Sequence, residues 1–432
     1  MSKLPQNAKN LWEVVKRWKQ PLIAFAIGQP AIQLLNVATG FFLLRWMTVE
    51  HYAQFGVAFA FQSTVAMLAD LGFSSSILAL AGSQAKDPNI LGRYLRSARH
   101  YRMVLVVVIG MLFAACFPII TASHGWSATT RLSLLASILV AVFVQGWSMY
   151  QSPLLAHRQI AALYRPQIVS AGLRLLLSGL CHLVHSINGI AASWLGTMAL
   201  TMSGAAIRHR ARAYVNEPPH PDPTANSEML RYLAPLMPGV IFTAFQSQIQ
   251  IAIITIFGST TNIAEVAALG RLAQLFGILA AFNGVIIGPY IAGLRMTHLR
   301  KRYCLILSAT GLLAGALVLV AFTMPAPFLW LLGPRYSNLG PEVGWMVFAS
   351  SISYIGGVMW TMHAARKWVY WWGTILYISL LLAAQVGGVL WLDLGSTHGV
   401  VIFGVVTAVA SLLVHVFTCF LGFFKESKLQ TS

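Results

Sequence analysis

Twelve apolar segments separated by short polar loops constrain this chain more than any other feature. A helix of about 20 apolar residues spans the hydrocarbon core of a bilayer, which is roughly 30 Å thick. Hydrophobic residues make up 57% of the 432 positions and charged residues only 9%, which gives more apolar surface than a water-soluble fold can bury. The sequence therefore predicts an all-α polytopic membrane protein with spans at approximately 21–44, 54–81, 103–121, 132–154, 167–186, 188–207, 232–257, 263–292, 303–323, 342–364, 373–392 and 397–422.

The basic residues predict the orientation of these spans. Twenty-three of the 29 Lys and Arg residues fall in alternate loops on one side, and three, Arg45, Arg131 and Arg335, fall on the other. Because cytoplasmic loops carry the excess of Lys and Arg, both termini are expected in the cytoplasm. The net charge of +18 is spread over these loops, so it indicates topology and attraction to membrane lipids and argues against a nucleic-acid-binding patch.

No catalytic, nucleotide-binding or metal-binding motif occurs in the sequence. It lacks a GxxxxGK[ST] loop, an HExxH pair and a GxSxG elbow, and its four cysteines form no CxxC pair. The cysteines are expected to be small apolar residues of the spans. We expect neither an enzyme nor a protein that needs a bound metal or cofactor.

A polar segment rich in Pro and charge, residues 208–231, divides the chain into two halves of six spans. A shift of 211 residues lays "EHYAQFGVAFAF" over "TNIAEVAALGRL" and predicts a parallel internal repeat. The predicted organisation is a cytoplasmic segment 1–20, a bundle 21–207, a cytoplasmic linker 208–231, a bundle 232–422 and a cytoplasmic tail 423–432.

Polar residues recur on single faces of several predicted spans. Arg174 and Arg271 lie on the order of 12–14 Å deep, where a charge normally faces a cavity or a partner. Asp70 lies near the middle of the second span, and an ion pair with Arg174 or Arg271 is one explanation for it. The polar residues predict a water-filled cavity lined by spans 1, 2, 7 and 8, although each uncharged one alone could simply join helices by hydrogen bonds. The uncharged candidates are Gln33, Asn36, Gln246 and Gln250.

Other features are interpreted as surface structure. Residues 83–102 and 155–166 are predicted to be short basic amphipathic helices at the inner membrane surface. Arg45 and Glu50 bracket an outer turn and are expected to anchor it at the interface. The cluster "KWVYWW" at 367–372 is expected to belong to an interfacial aromatic belt.

Three segments resemble the polysaccharide-exporter and O-antigen flippase families, which belong to the superfamily of multidrug, oligosaccharidyl-lipid and polysaccharide transporters. They are "LLRWMTVEHYAQFGVAFAFQSTVAMLADLGFSSS", "YLAPLMPGVIFTAFQSQIQIAIITIFG" and "FLWLLGPRYSNLGPEVGWMVFASSI". Their counterparts there are a first-to-second span region with a D-L-G-F/L segment, a seventh span, and a ninth-to-tenth connection. The chain departs from the pattern at Gln54-Phe55, where an acidic residue and Tyr are common.

The resemblance implies a MATE-like fold of two six-helix bundles that alternates between inward-open and outward-open forms. It also implies transport of an undecaprenyl-diphosphate-linked oligosaccharide across the bacterial inner membrane, for surface polysaccharides such as O-antigen of lipopolysaccharide or exopolysaccharide. Arg174 and Arg271 would then bind diphosphate or acidic sugars. The four amides would bind sugar hydroxyls. Asp70 would pair with a cavity arginine when the site is empty, or bind a coupling H+ or Na+, and other polysaccharide assembly proteins would be partners.

Three alternatives remain open from the sequence. A multidrug and toxin extruder of the same fold would need acidic residues to dominate its cavity, whereas two arginines and one aspartate lie deep here. A glycan polymerase or ligase would need catalytic groups on a large outer loop. A major facilitator transporter would need its basic and acidic motif after the second span, where 83–95 has "SQAKDPNILGRYL".

Overall fold

A computed structural model describes residues 28–431 except 186, 284–286, 293, 295, 367, 369 and 370. The described part of the chain is built from α-helices and short 3-10 turns. The N-terminal lobe contains α1 (28–46), α2 (Val49–Asp70), α3 (Phe73–Ala81), α4 (Pro88–Ile120), α5 (Ala128–Gln145), α6 (Gln151–Ala156), α7 (Ile160–His185) and α8 (Gly189–Ala211).

The remaining helices form a connection and a second lobe. The connecting helix is α9 (Pro223–Leu233). The C-terminal lobe contains α10 (Met237–Gln246), α11 (Ile249–Phe257), α12 (Thr260–Phe282), α13 (Gly288–Ala292), α14 (Met296–Thr323), α15 (Ala326–Leu332), α16 (Gly340–Ala365), α17 (Trp371–Trp391) and α18 (Thr397–Thr431).

The number of spans agrees closely with the sequence. Within the described residues, ten helical segments are long and apolar enough to cross a membrane, and α10 with α11 makes an eleventh that is bent by 53°. Helix α1 occupies the position of the first predicted span, whose beginning lies outside the described residues. The prediction of an all-α polytopic membrane protein is confirmed.

Corresponding helices of the two lobes start at a nearly constant spacing. Helices α2 and α12 begin 211 residues apart, at Val49 and Thr260. Helices α7 and α17 begin 211 residues apart as well, at Ile160 and Trp371. The structure thus supports the internal repeat, with both lobes running in the same order.

Two predictions about the inner surface are wrong. The segment 83–102 does not form a separate surface helix, because α4 begins at Pro88 and runs unbroken through the third span to Ile120. Asp87 caps its start by accepting a hydrogen bond from the Asn89 backbone N–H at 2.8 Å. The segment 155–166 is also not separate, since α7 begins at Ile160 and continues into the fifth span with Pro166 in its first turns.

The linker is bound to the N-terminal lobe. Asp222 caps α9, and its carboxylate forms an ion pair with Arg93 of α4 at 2.5 Å. The hydrogen bond from the Thr224 backbone N–H is the main cause of the lowered pKa of Asp222, and the interaction with Arg93 lowers this pKa as well. Glu217 pairs with Arg99 at 2.9 Å. The linker is therefore expected to move together with α4.

The two lobes are in contact at their predicted outer ends. Arg45 at the end of α1 donates to the Trp330 carbonyl, and Arg335 donates to the Met47 carbonyl. The guanidinium of Arg45 also lies 4.5 Å from the centre of the Trp330 ring. Arg45 therefore lies at the outer turn, as predicted, and also forms a contact between the two lobes.

Candidate functional site

A break between α2 and α3 places Asp70 beside a cavity. Helix α2 ends at Asp70, and Leu71 and Gly72 have left-handed φ values of 41° and 88°. Glycine suits this conformation because a side chain there is strained. The Asp70 carboxylate accepts a hydrogen bond from the Ser74 hydroxyl one turn further on.

Arg102 is the ion-pair partner of Asp70. Its Nη1 lies 3.0 Å from Oδ1 of Asp70, and its Nη2 donates to the Val142 carbonyl at 3.1 Å. The Arg102 side chain is 3% exposed and the Asp70 side chain 25%. The predicted pairing of Asp70 with Arg174 or Arg271 is wrong, because the unbroken α4 carries Arg102 from the inner loop into the bundle.

Arg174 on α7 faces the same cavity. Among the described residues, no hydrogen bond or ion pair forms with its guanidinium, and its Nε is buried. A Cβ added at Gly196 would lie 3.2 Å from Nη2 of Arg174, so the glycine makes room for the guanidinium. This arginine is available to an anion that enters the cavity.

Arg271 on α12 is buried, 7% exposed, and is held at the boundary between the lobes. Its Nε donates to the Tyr52 hydroxyl at 2.8 Å, and its Nη1 donates to Oε1 of Gln274 at 3.1 Å. The guanidinium carbon lies 5.4 Å from the Phe55 ring centre and 5.3 Å from that of Phe59. These contacts fix the orientation of the guanidinium relative to both lobes.

The cationic cavity, defined by Asp70, Arg102, Arg174 and Arg271, has a volume of about 820 Å³. Its charged lining among the described residues is three arginines and one aspartate. The uncharged polar side chains that line it include Gln33, Asn36, Gln62, Gln145 and Gln274. The lining matches the chemistry of a polyanionic, hydrogen-bonding ligand.

Gln246 and Gln250 line a different cavity. This aromatic cavity, defined by Trp360, Tyr377 and His415, lies in the C-terminal lobe and has a volume of about 1220 Å³. Spans 1, 2, 7 and 8 all contribute to the lining of the cationic cavity, as predicted, but Gln246 and Gln250 of span 7 lie in the aromatic cavity beside it. The two cavities adjoin, since Arg271 and Gln274 line both.

Sequence reasoning missed several lining residues. Arg102 was assigned to an inner loop. Trp360 and His415 are an aromatic and a polar residue within spans, and nothing else in the sequence singles them out. Trp368 was expected in an interfacial belt, but it is 3% exposed and packs with Tyr303 and His363 inside the C-terminal lobe. Among the described residues, no group of three or more His, Cys, Asp or Glu side chains is placed to hold a metal ion.

Solved structures with the same architecture are membrane transporters. An inward-facing multidrug resistance MATE family transporter of the MOP superfamily aligns with a TM-score of 0.67 at 15% identity, covering 93% of this chain and 96% of that chain. The lipid II flippase MurJ, in an inward closed conformation, aligns with a TM-score of 0.64 at 12% identity, covering 93% and 89%. A MATE structure in a bent conformation aligns with a TM-score of 0.59 at 15% identity, covering 99% of both chains.

No protein-family model and no curated protein matches the sequence. The assignment to the polysaccharide-exporter branch stays a prediction, because likenesses at 12–15% identity carry the fold alone. The fold that the sequence resemblance implied is confirmed: the chain is a polytopic membrane protein of MATE-like fold.

Proposed function

We propose that this protein is a flippase that moves an undecaprenyl-diphosphate-linked oligosaccharide from the cytoplasmic to the outer leaflet of the bacterial inner membrane. The cargo would feed surface polysaccharide assembly, and movement would follow alternating access of the two lobes. The observation that carries the proposal is the charge of the cationic cavity, where three arginines face one aspartate. A lipid diphosphate carries about two negative charges, which complement the two arginines that Asp70 does not neutralise.

The two arginines have different roles in this proposal. Arg174 has no protein partner among the described residues, so its fork of donors can bind phosphate oxygens at no cost in existing contacts. Arg271 is already oriented by Tyr52 and Gln274. A diphosphate between them would bring together groups from α7 and α12, which belong to different lobes. Cargo binding would thereby favour a conformation in which the lobes are close.

The cavity also argues against the principal alternative. An ion-coupled exporter of organic cations shares the fold, and the aromatic cavity favours it, because aromatic rings attract cations. However, both cavities have Arg271 in their lining, and Asp70 is occupied by Arg102. A coupling ion, H+ or Na+, fits either function, and neither function needs an enzymatic step by this chain.

The test is the leaflet distribution of lipid-linked oligosaccharide in cells depleted of this protein. Complementation with wild type should restore outer-leaflet cargo, whereas Arg174→Ala and the double variant Arg174→Ala, Arg271→Ala should leave it on the cytoplasmic side. Arg212→Ala, at an exposed position beyond α8, is the matched control and should complement fully. Immunoblots of membrane fractions establish equal amounts of each variant.

Normal sidedness after depletion, in cells without a second exporter, would contradict the flippase. An Asp70→Asn variant that lost export of an organic cation but kept normal glycan assembly would instead support the multidrug exporter.

A further inference from the structure

The aromatic cavity presents rings from four helices of the C-terminal lobe. Trp360 of α16, Tyr377 of α17 and His415 of α18 converge, with His415 6.2 Å from Trp360 and 6.1 Å from Tyr377 between ring centres. Phe242 of α10 meets Tyr377 edge to face at 5.9 Å. Trp360 remains 50% exposed, so this packing leaves much of its ring uncovered.

Amides and hydroxyls complete the lining of the cavity. Gln246 exchanges two hydrogen bonds with Gln385, at 3.0 and 2.6 Å, and Gln250 makes one long contact with the Val400 carbonyl at 3.4 Å. Thr407 and Ser411 of α18 also line the cavity. A second histidine, His363, lines it with a buried Nδ1 that has no partner among the described residues. The cavity therefore offers donors and acceptors beside its ring faces.

Formal charge is nearly absent from this cavity. Its described lining contains no Asp or Glu, and Arg271, which it shares with the cationic cavity, is the charged residue present. An organic cation would lack a counter-charge here. Ring faces with neutral hydrogen-bonding groups match a polyhydroxylated ligand, because the polarised C–H groups of a sugar face pack on an aromatic ring and its hydroxyls bond to amides.

We propose that the aromatic cavity holds the glycan of the cargo while the cationic cavity holds its diphosphate. This inference rests on the proposed flippase function and assigns each part of the cargo to one cavity. The two cavities meet at Arg271 and Gln274. The proposal requires such a junction, because the diphosphate of the cargo is bonded directly to its first sugar. The volume of about 1220 Å³ exceeds the ~300–1,000 Å³ of ordinary small-molecule pockets, which suits an oligosaccharide.

The polyprenyl chain is the less suitable occupant of the aromatic cavity. An isoprenoid would remove water from Gln250, His363 and the hydroxyls without offering a hydrogen bond in return. Leaving buried polar groups without partners is unfavourable. The outer surfaces of the helices are apolar, as the exposed Leu312, Leu390 and Phe420 illustrate, and can receive the lipid chain instead.

The experiment compares two probes on the full-length chain in nanodiscs. One probe is a short polyprenyl diphosphate, and the other is the same lipid carrying a chitobiosyl unit on its diphosphate. Wild type should bind the glycosylated probe about tenfold more tightly. Trp360→Ala and His415→Ala should each lose roughly three- to tenfold of affinity for the glycosylated probe alone. Trp391→Ala, an 86% exposed tryptophan outside both cavities, is the control and should change neither affinity.

The outcomes separate this inference from the proposed function. Equal affinity of wild type for both probes would overturn the glycan assignment while leaving diphosphate binding intact. If Trp360→Ala and His415→Ala reduced the affinity for both probes equally, the glycan assignment would also be overturned, and the polyprenyl chain would be placed in the aromatic cavity. Arg174→Ala should reduce the affinity for both probes to the same extent. Failure of wild type to bind either probe would contradict the flippase function itself.

Discussion

Asp70 and Arg102 form an ion pair whose two members differ in their contact with the cavity. The Arg102 guanidinium is almost completely buried, whereas a quarter of the Asp70 side chain is exposed. Removal of the carboxylate would therefore leave a buried cation without a counter-charge. Such a loss costs much more than the loss of a surface pair, because the remaining charge has little access to water.

We expect Asp70→Asn to destabilise the protein by on the order of 3 kcal/mol, measured as thermal unfolding of the purified protein in detergent. The matched control is Asp222→Asn, which breaks a pair whose members are 40% and 27% exposed and should cost much less, because water screens an exposed pair. The double variant Asp70→Leu, Arg102→Met should recover most of the loss, since it removes both charges. Equal costs for Asp70→Asn and Asp222→Asn would contradict this account.

The residues of the cationic cavity were predictable to different degrees. Arg174 and Arg271 stand out in the sequence because a charge in the middle of an apolar run is costly. Arg102 does not stand out, because it follows Arg93, Arg96 and Arg99 and counts as another cytoplasmic charge. Only the position of the helix start at Pro88 and the bundle packing show that the last of these four arginines is buried.

At the scale of elements, the break between α2 and α3 determines where Asp70 points. The chain leaves α2 through Leu71 and Gly72, both left-handed, and begins α3 at Phe73. A Cβ at Gly72 would also lie 3.3 Å from Cδ2 of Leu233 in α9. A side chain at this position would therefore meet both backbone strain and a close neighbour.

Gly72→Ala is expected to lower the free energy of unfolding by about 1–2 kcal/mol. The variant should also weaken diphosphate binding, because any shift of the break displaces Asp70 and hence Arg102. Gly172→Ala is the control, since Gly172 lies within α7 and a Cβ there meets nothing within 4 Å; it should be neutral or stabilising by up to about 1 kcal/mol. The measurements are thermal unfolding and titration with inorganic pyrophosphate. A Gly72→Ala protein as stable as wild type would contradict the argument.

At the scale of the whole molecule, the two lobes share their helix order but not their chemistry. Arg174 of α7 corresponds at the 211-residue shift to Gln385 of α17, which pairs with Gln246 instead of facing an anion. The repeat and the fold class were visible in the sequence because apolar periodicity and basic loops recur in both halves. The division of polar residues between two cavities was not visible, because it depends on which faces of the helices meet after packing.

The outer contact between lobes connects this architecture to movement. Arg45 donates from the N-terminal lobe to Trp330, and Arg335 donates from the C-terminal lobe to Met47. Both acceptors are backbone carbonyls, so each arginine holds the opposite lobe without depending on a particular partner side chain. The contact stabilises the form with closed outer ends, and in the proposed transport cycle opening toward the outside would require these hydrogen bonds to break.

We expect the double variant Arg45→Ala, Arg335→Ala to shift the equilibrium toward the outward-open form by roughly tenfold. Hydrogen bonds from charged donors contribute about 1.5–3 kcal/mol each when they are desolvated, and less when the donors are exposed, as Arg45 and Arg335 are. Spin labels at the exposed Thr129 and Thr261, at the outer ends of α5 and α12, report the separation by double electron–electron resonance in a cysteine-free background. The population with the longer distance should increase in the double variant. Arg131→Ala is the control because Arg131 donates to Pro118 within the N-terminal lobe, so its distance distribution should match wild type. Unchanged distances in the double variant would mean that packing of α2 on α12, rather than the arginine pair, keeps the outer ends closed.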